Sequence, residues 1–365
     1  MNIKKIGTAV SAVAIAFGLA ACGSDNTDNG SANEDMGSQT GSGIVENTGD
    51  LVTATMVTDQ GGVNDKSFNQ SAYEGLTEYQ DQGKIDFDYI ESHKETDYQP
   101  NLESALDSDS DVIFTVGYAL FDATNEAANN NPDQKYAIID NANINGQENL
   151  LGITFADNEN SFLVGYIAGM TSETNNVGFV GGTKSDVIDR FEYGFRAGVQ
   201  EAAREKDEEI EVQVQYANSY VDQEGGKNIA NRMYQSGADV IFQAAGGTGI
   251  GVIEAAKEND KYVIGVDRDQ KDEAPDNMLV STIKGVGAAV QYTLDDLAND
   301  EFKGGETVAY GLKDGDACTI AYADNDLVKQ EVKDKVEELR QKVIDGEIEV
   351  PQNEEEFESM GYNEK

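Results

Sequence analysis

The segments "DVIFTVGYALFDATNEAA", residues 111–128, and "DVIFQAAGGTGIGVIEAA", residues 239–256, decide the fold, because they repeat one pattern in two distant parts of the chain. Each begins with an apolar run, passes through a turn and continues into a helical pattern. Each also follows a strand, a polar loop and a helix. Strands that alternate with helices of about ten to fifteen residues are typical of βαβ units and parallel sheets. The repeat therefore predicts two similarly built, doubly wound α/β lobes.

The same alternation extends outward from these two segments over the chain from residue 51. Apolar runs predict strands at 51–57, 84–90, 111–117, 136–140, 176–182, 209–217, 239–245, 262–267 and 278–283. Amphipathic stretches predict helices at 67–80, 101–108, 188–206, 226–237 and 251–260. One lobe is expected to cover residues 51–155 and the other residues 156–284.

Length and charge exclude several classes of function. The 365 residues suit two domains of common size. The chain has 69 acidic and 26 basic side chains, a net charge of −43, so it would repel the phosphates of nucleic acids. We interpret the acidic excess as a heavily solvated surface.

Residue types needed for common catalytic sites are scarce. The two cysteines, Cys22 and Cys318, are far apart and lack metal-ligand spacing, and the single histidine, His93, lies among charged residues. Zinc chemistry and Ser-His-Asp or Cys-His catalysis therefore lack most of their components. A nucleoside hydrolase is also disfavoured, because no D-x-D-x-x-x-D-D run for calcium occurs.

A dinucleotide-dependent dehydrogenase is the main enzymatic alternative. The glycine turn "GGTGIG", residues 246–251, follows a strand, opens a helix and precedes Asp267 by about twenty residues, as in a dinucleotide site. The pattern is not G-x-G-x-x-G, because Val252 stands three positions after Gly249. The export signal described next also argues against a nicotinamide cofactor.

The N-terminus predicts export and lipidation. "MNIKKIGTAVSAVAIAFGLAAC", residues 1–22, has a basic start, a short apolar run and small residues before Cys22. "LAAC", residues 19–22, resembles the bacterial lipobox, whose cysteine is diacylated and becomes the mature N-terminus. Residues 1–21 are therefore predicted to be a lipoprotein signal peptide. Residues 22–50, polar and without Lys or Arg, are predicted to be a flexible tether.

Polar residues follow several predicted strands. Asp59, Asp140 and Asp267 stand where strands end, and carboxylates there could accept hydrogen bonds from sugar hydroxyls. Ligands of doubly wound folds bind beyond the carboxyl ends of the strands. The glycines at 246–251 would let a ligand approach the backbone. These ends are expected to line one cleft, with Lys284 as an isolated cation near the hinge.

Phe68 lies within the polar loop "TDQGGVNDKSFNQ", residues 58–70, and has two interpretations. Its ring could stack on a flat ligand, with Tyr220 as a second aromatic from the other lobe. Alternatively, Phe68 is the first core residue of a helix whose N-cap is Ser67. The residues alone leave both open.

Several blocks in a fixed order resemble the basic membrane lipoprotein family, the purine-nucleoside receptor-like substrate-binding proteins of ABC transporters. The blocks are "DQGGVNDKSFNQSAYEGL" (59–76), "FLVGYIAGM" (162–170), "GFVGG" (178–182), "RFEYGFRAGV" (190–199), "AAGGTGIGVIEAA" (244–256) and "GVDRDQ" (265–270). The resemblance runs from about residue 52 to the C-terminus. It implies a type I periplasmic-binding fold, two Rossmann-like lobes joined by a hinge. Residues 285–315 then return to the N-terminal lobe and residues 316–365 to the C-terminal lobe.

The resemblance also implies roles for individual residues. The ligand-binding residues that it implies are Asp59, Gln60, Phe68, Gly246, Gly247, Asp267 and Lys284. The ribose carboxylate is assigned to Asp267 rather than Asp269.

Other assignments stay open within the resemblance. Tyr220 competes with Phe191 as the second stacking aromatic, although Phe191 also suits the buried stripe of a helix. Asp140 competes with Asp122 as the acid that contacts the base, and Asp140 is preferred because it ends a strand. Asn64, in the first loop, is a further candidate.

The resemblance implies an extracellular, Cys22-anchored lipoprotein, expected to be monomeric, that captures a purine nucleoside for an ABC-transporter permease. No catalysis, cofactor or metal is expected. The alternatives are a receptor for a simple sugar or another small polar solute, and a ligand-sensing lipoprotein without transport. The acidic cleft should also reject nucleotides, because their phosphates would face carboxylates.

Overall fold

The computed structural model describes residues 51–362, so the predicted signal peptide, Cys22 and the tether lie outside the described residues. The strands of the described part are β1 (Val52–Thr58), β2 (Ile85–Ile90), β3 (Val112–Val116), β4 (Lys135–Ile139), β5 (Leu150–Phe155), β6 (Asn176–Gly181), β7 (Glu211–Tyr216), β8 (Val240–Ala244), β9 (Tyr262–Gly265), β10 (Met278–Lys284), β11 (Thr307–Tyr310) and β12 (Cys318–Tyr322). Its α-helices are α1 (Phe68–Asp81), α2 (Tyr98–Leu106), α3 (Phe121–Asn130), α4 (Asp157–Thr171), α5 (Asp186–Lys206), α6 (Gln223–Gln235), α7 (Gly247–Asn259), α8 (Val286–Ala298), α9 (Gln330–Ile344) and α10 (Glu354–Ser359).

The strands form two six-stranded sheets with matching topology. The first has the order β11-β5-β4-β3-β1-β2 and the second the order β12-β10-β9-β8-β6-β7. All pairings are parallel except that of β12 with β10, which is antiparallel. The central strands β3 and β8 are buried throughout, which explains their mainly apolar sequences. The predicted fold class, two doubly wound α/β lobes of the periplasmic-binding type, is confirmed.

Two groups of helices cover the two sheets. The first sheet packs with α1, α2, α3 and α8, and we call this unit the first lobe. The second sheet packs with α4, α5, α6 and α7, while α9 packs on α4 and α10 on α5, and we call this unit the second lobe. The chain passes between the lobes after β5, after β10 and before β12.

The observed elements confirm nine predicted strands and five predicted helices, within a few residues at their ends. Strands β5, β11 and β12 were not predicted. The residues of β11 and β12 are partly exposed, and both strands are short. They join their sheets by pairing with strands far away in the sequence, which local periodicity does not reveal.

The close packing of α4 on α5 explains two of the family-like blocks. A Cβ atom at Gly165 would lie 2.1 Å from the carbonyl oxygen of Phe195, and one at Gly198 would lie 2.0 Å from that of Phe162. No side chain fits at these distances, so glycine lets the two helix backbones approach. The blocks 162–170 and 190–199 therefore contain a helix–helix contact as well as Phe191, whose side chain faces the cleft.

Candidate functional site

A cavity lies between the two lobes at the carboxyl edges of both sheets. Most of the residues singled out in the sequence line it together. Those lining residues are Asp59, Phe68, Asp140, Phe191, Tyr220, Gly246, Gly247, Asp267 and Lys284.

Four other candidates do not line the cavity. Gln60 and Asn64 have exposed side chains in the loop after β1, and Asp122 is exposed in the first turn of α3. The carboxylate of Asp269 accepts a hydrogen bond from the backbone of Lys271 and pairs with its ammonium group at 3.2 Å. The geometry therefore favours Asp140 over Asp122 and Asp267 over Asp269 at this site.

Asp59 follows β1 and is held by its own loop. Its Oδ1 accepts hydrogen bonds from the backbone of Gly61 at 2.9 Å and from the Asn69 amide at 2.8 Å. Its Oδ2 lies against Gly117, where a Cβ atom would approach it to 2.6 Å. Burial among these loops raises the pKa of Asp59 to about 6, although both hydrogen bonds lower it.

Asp65, which the sequence reasoning missed, caps α1. Its carboxylate accepts hydrogen bonds from the backbone N–H groups of Ser67, Asn69 and Gln70 at 2.9–3.1 Å. Ser67 occupies the N-cap position, as predicted, but its hydroxyl makes no capping bond. That hydroxyl donates instead to Asp267 in the second lobe. The signal in the sequence was an acid three residues before the helix start, where it can serve as a cap.

Both interpretations of Phe68 hold in part. Phe68 is the first residue of α1 and packs against the core of the first lobe. It is only half-buried, however, and it lines the cavity. Its ring is therefore anchored by the core and still faces the space where a ligand would bind.

The two aromatic candidates of the second lobe differ in how they are held. Phe191 is 2% exposed and packs against Phe242 with ring centroids 6.2 Å apart. Tyr220 is half-buried and packs edge-on against Tyr118 of the first lobe, with the two hydroxyls 3.3 Å apart. Phe191 thus lines the cavity from within the lobe's core, whereas Tyr220 lines it through a contact that crosses the cleft.

Gly246 and Gly247 connect β8 to α7 beside Tyr220. Gly246 has a φ of 54°, a left-handed conformation that favours glycine. A Cβ atom at Gly247 would lie 3.1 Å from the carbonyl oxygen of Tyr220. The helix N-terminus therefore opens onto the cavity without intervening side chains.

Lys284 is not the isolated cation that the sequence suggested. Its side chain is 1% exposed, and its Nζ lies 2.7 Å from Asp140 Oδ1 and 3.3 Å from Asp157 Oδ2. Arg190 Nε lies 3.4 Å from the same Asp157 oxygen. Burial alone would lower the pKa of Lys284, but the nearby carboxylates of Asp140, Asp157 and Asp267 raise it above its ordinary value. Lys284 is therefore a charged member of a buried network that joins the two lobes.

Three aromatic rings surround this ammonium group. Its Nζ lies 5.3 Å from the ring centroids of both Phe68 and Phe191, and 5.2 Å from that of Phe155. Such contacts stabilise a desolvated cation by roughly 1–2 kcal/mol each at most. Lys284 therefore contacts both aromatic rings and carboxylates of the cavity lining.

Asp140 and Asp267 share an unusual backbone conformation. Asp140 has a φ of 70° and Asp267 a φ of 66°, both in the left-handed region that non-glycine residues rarely adopt. Burial raises the pKa of Asp267 to about 7, although Lys284 and the Ser67 hydroxyl lower it. Strained turns thus hold two carboxylates at the cavity, one from each lobe.

The arrangement suits recognition of a polar ligand with a flat ring. Carboxylates at the cavity can accept hydrogen bonds from hydroxyl or amide donors, and half-buried rings can contact a planar face. Among residues 51–362, no group of His, Cys, Asp and Glu side chains is arranged to hold a metal ion.

Comparison with known proteins places the chain among transport proteins. Residues 52–354 match the family model described as Bmp, ABC transporter substrate-binding protein PnrA-like. An ABC transporter solute-binding protein from Aeropyrum pernix K1 has a TM-score of 0.77 at 25% identity, covering 85% of this chain and 96% of that chain.

Relatives with similar sequences cover most of the chain. The CD4+ T-cell-stimulating antigen of Listeria innocua is 43% identical over 359 residues, covering 92% of this chain and 94% of the relative. The ABC transporter nucleoside-binding protein BmpA of Lactococcus lactis is 42% identical over 319 residues, covering 82% and 88%. Basic membrane protein A of Borreliella burgdorferi is 40% identical over 306 residues, with the same coverage. The chain therefore belongs to the Bmp family of PnrA-like substrate-binding proteins of ABC transporters.

Proposed function

We propose that this substrate-binding protein captures purine nucleosides and delivers them to an ABC-transporter permease. The observation that carries the proposal is one cavity that combines Phe68 and Tyr220, from opposite lobes, with the carboxylates of Asp140 and Asp267. A relative that is 42% identical bears the name nucleoside-binding protein, which supports the same ligand class.

In this proposal the base lies between the rings of Phe68 and Tyr220. Stacking of a base on an aromatic ring contributes about 1–3 kcal/mol. Phe191 forms the apolar wall beside the base, and Asp140, held by Lys284, accepts from donors on the base edge. A purine offers more stacking area than a pyrimidine.

The ribose hydroxyls bind Asp267 in the same proposal. Each hydrogen bond to a charged carboxylate contributes about 1.5–3 kcal/mol. One stack and two or three such bonds reach the roughly −8 kcal/mol of a micromolar dissociation constant after ordering costs. The ligand leaves unchanged, as in other solute-binding proteins.

We further propose that the protein acts at the outer face of the cell membrane, anchored through the lipidated Cys22. The N-terminal signal and lipobox support this location. Among the residues that the structure describes, none of the helices combines the length and apolar character needed to span a membrane. The tether of residues 22–50 would let the binding lobes reach the permease.

Calorimetric titration tests the proposal directly. The protein is unfolded and refolded to remove any carried ligand, then titrated with adenosine, guanosine, inosine, cytidine, uridine and ribose. Tight binding of purine nucleosides with no heat from ribose is the expected result. Binding of ribose alone would replace the proposal with a sugar receptor.

Two variants of Phe68 separate stacking from packing. Phe68→Leu keeps apolar volume against the core and removes the ring, whereas Phe68→Ala removes both. The proposal expects both variants to weaken nucleoside binding at least tenfold, with Phe68→Leu retaining most of the stability. Wild-type affinity in Phe68→Leu would assign the ring to the core only.

A further inference from the structure

Gln270 ends the block "GVDRDQ" and has no role in the site described so far. Its side chain is buried, with 1% exposed, yet it does not line the cavity. A buried amide costs free energy unless its polar atoms are hydrogen-bonded, so its partners indicate what it does.

Within the second lobe, Gln270 organises the turn that carries Asp267. Its Oε1 accepts hydrogen bonds from the backbone N–H of Val266 and from the amide of Gln243, both at 2.9 Å. Its own backbone N–H donates to Ser281 Oγ at 3.1 Å. The residue immediately before Asp267 is therefore fixed by this side chain.

The other end of the amide crosses to the first lobe. Nε2 of Gln270 donates to the carbonyl oxygen of Lys66 at 2.9 Å. The orientation of the amide follows from its partners, because the Val266 N–H can only donate and the Lys66 carbonyl can only accept. Gln270 thus holds one backbone group in each lobe at the same time.

The carbonyl that it holds belongs to a strained turn. Lys66 has a φ of 60°, again in the left-handed region. The next two residues are Ser67, which donates to Asp267, and Phe68, which faces the cavity. The turn held by Gln270 in the first lobe therefore carries the ring proposed for stacking.

The ion pairs between these segments are more exposed than this hydrogen bond. Arg268 pairs with Glu74 at 3.2 Å and Lys66 pairs with Glu273 at 3.6 Å, and all four side chains are at least a quarter exposed. Solvent-exposed pairs contribute about 0–1 kcal/mol. The two buried hydrogen bonds, from Gln270 to the Lys66 carbonyl and from Ser67 to Asp267, are consequently the stronger constraints on how these two turns meet.

We propose that Gln270 is a positioning residue that sets Asp267 against Phe68 when the lobes close, and so sets the lifetime of the closed complex. The proposal rests on the proposed function for its ligand. Gln270 touches the ligand at no point and acts through the two turns.

The variant Gln270→Glu tests this contact selectively. The carboxylate keeps the acceptor for Val266 and Gln243, loses the donor to Lys66 and faces its carbonyl oxygen. Gln270→Met, which is uncharged and of similar size, is the second variant. The matched control Glu273→Gln removes the charge that pairs with Lys66 and leaves the turn at Lys66 unchanged.

Stopped-flow measurements with 2-aminopurine riboside, whose fluorescence reports stacking, give the rates. We expect dissociation to be about tenfold or more faster in Gln270→Glu, with association changed less than threefold. Gln270→Met should shift dissociation in the same direction by less, and Glu273→Gln should match the wild type. Wild-type dissociation rates in both Gln270 variants would overturn the proposal.

Hydrogen–deuterium exchange of the ligand-free protein supplies a readout independent of the nucleoside. We expect faster exchange at residues 59–67 and 266–273 in Gln270→Glu, with the rest of the second lobe unchanged. Faster exchange across the whole second lobe would mean that Gln270 only supports the fold, and would overturn the proposal. If the faster exchange is confined to these two segments but the wild-type protein binds no nucleoside, the coupling between the two turns stands and the proposed ligand is rejected.

Discussion

Strand β4 in the first lobe and strand β9 in the second occupy equivalent positions in their sheets, and each is followed by a buried aspartate with positive φ. Their partners differ. Asp140 pairs with the ammonium of Lys284, whereas Asp267 accepts a hydrogen bond from the neutral hydroxyl of Ser67. Two positions that are equivalent in the repeated topology therefore differ in the charge of the groups beside them. Asp140 is a charge-compensated anchor between the lobes, and Asp267 is the less compensated acceptor.

Removing the compensating cation should have the largest effect. Lys284→Met leaves Asp140 and Asp157 buried without it, and we expect a loss of roughly 3–5 kcal/mol in the free energy of unfolding. Urea unfolding measures this loss. The control Lys303→Met removes the exposed pair with Asp296 and should cost less than about 1 kcal/mol. Equal losses in the two variants would mean that the buried ion pairs of Lys284 contribute no more to stability than an exposed pair.

Adding a phosphate to the ligand should have the next largest effect. The cavity lining contains four carboxylates, from Asp59, Asp65, Asp140 and Asp267, against the single ammonium of Lys284. We expect inosine to bind at least a hundredfold more tightly than its monophosphate, about 2.7 kcal/mol. Competitive calorimetric titration measures the ratio. Comparable affinities would show that the carboxylates exert no net repulsion at this site.

The matched variants Asp267→Asn and Asp140→Asn should separate the two roles. Asparagine tolerates positive φ, so the backbone strain stays similar. Asp267→Asn should weaken nucleoside binding by about 1.5–3 kcal/mol with little loss of stability. Asp140→Asn should lower the free energy of unfolding more, by roughly 1–3 kcal/mol, because the ammonium of Lys284 then has only the carboxylate of Asp157 as an ion-pair partner. Paired titration and urea unfolding of both variants test this, and the reverse order would exchange the assigned roles.

The dependence of stability on pH should follow the protonation of Asp267. The pKa of Asp267 is raised from 3.8 to about 7 in the folded protein, so the folded state holds its proton after the unfolded state has released it. The protonated side chain of Asp267 therefore contributes to the free energy of unfolding at low pH, and this contribution is lost as pH rises toward 7. The variant Asp267→Asn has no carboxyl group at this position and should not show the loss. Urea unfolding of both proteins between pH 4 and 8 provides the check.

Nucleoside affinity should change with pH in the opposite direction to stability. Hydroxyl donors favour the ionised carboxylate, so nucleoside affinity should increase up to about tenfold between pH 6 and 8. In Asp267→Asn, most of this increase in affinity should disappear. Any increase that remains is assigned to Asp59, whose pKa burial raises to about 6. An increase of the same size in Asp267→Asn would remove Asp267 from the explanation.

Much of this site could be predicted because parallel strands bring their carboxyl ends to one edge. Asp59, Asp140 and Asp267 follow predicted strands, so their meeting at one cavity followed from topology. Phe68, a ring in a polar loop, and Lys284, a cation after a strand, were also singled out from the residues, and the resemblance implied their ligand-binding roles.

What the sequence did not reveal depends on contacts between distant residues. The role of Lys284 depends on Asp157 and Arg190, which are 127 and 94 positions away in the sequence and lie on helices whose patterns do not distinguish them. Gln270 belonged to a noted block, but its carbonyl partner at Lys66 has no side-chain signature. Exposed neighbours such as Gln60 could not be excluded until the loop conformation was known.

The order in which the chain is made has a consequence for how the lobes mature. The first lobe takes α8 and β11 from residues 286–310, after five of the six strands of the second lobe have been made. A chain that emerges N-terminus first therefore leaves the edge of β5 unpaired and the face beside α1 uncovered until about residue 310 appears. Such late, non-local pairing slows folding and exposes apolar surface. Neither lobe can be completed before most of the other has been made, and truncation after residue 284 would leave both unfinished.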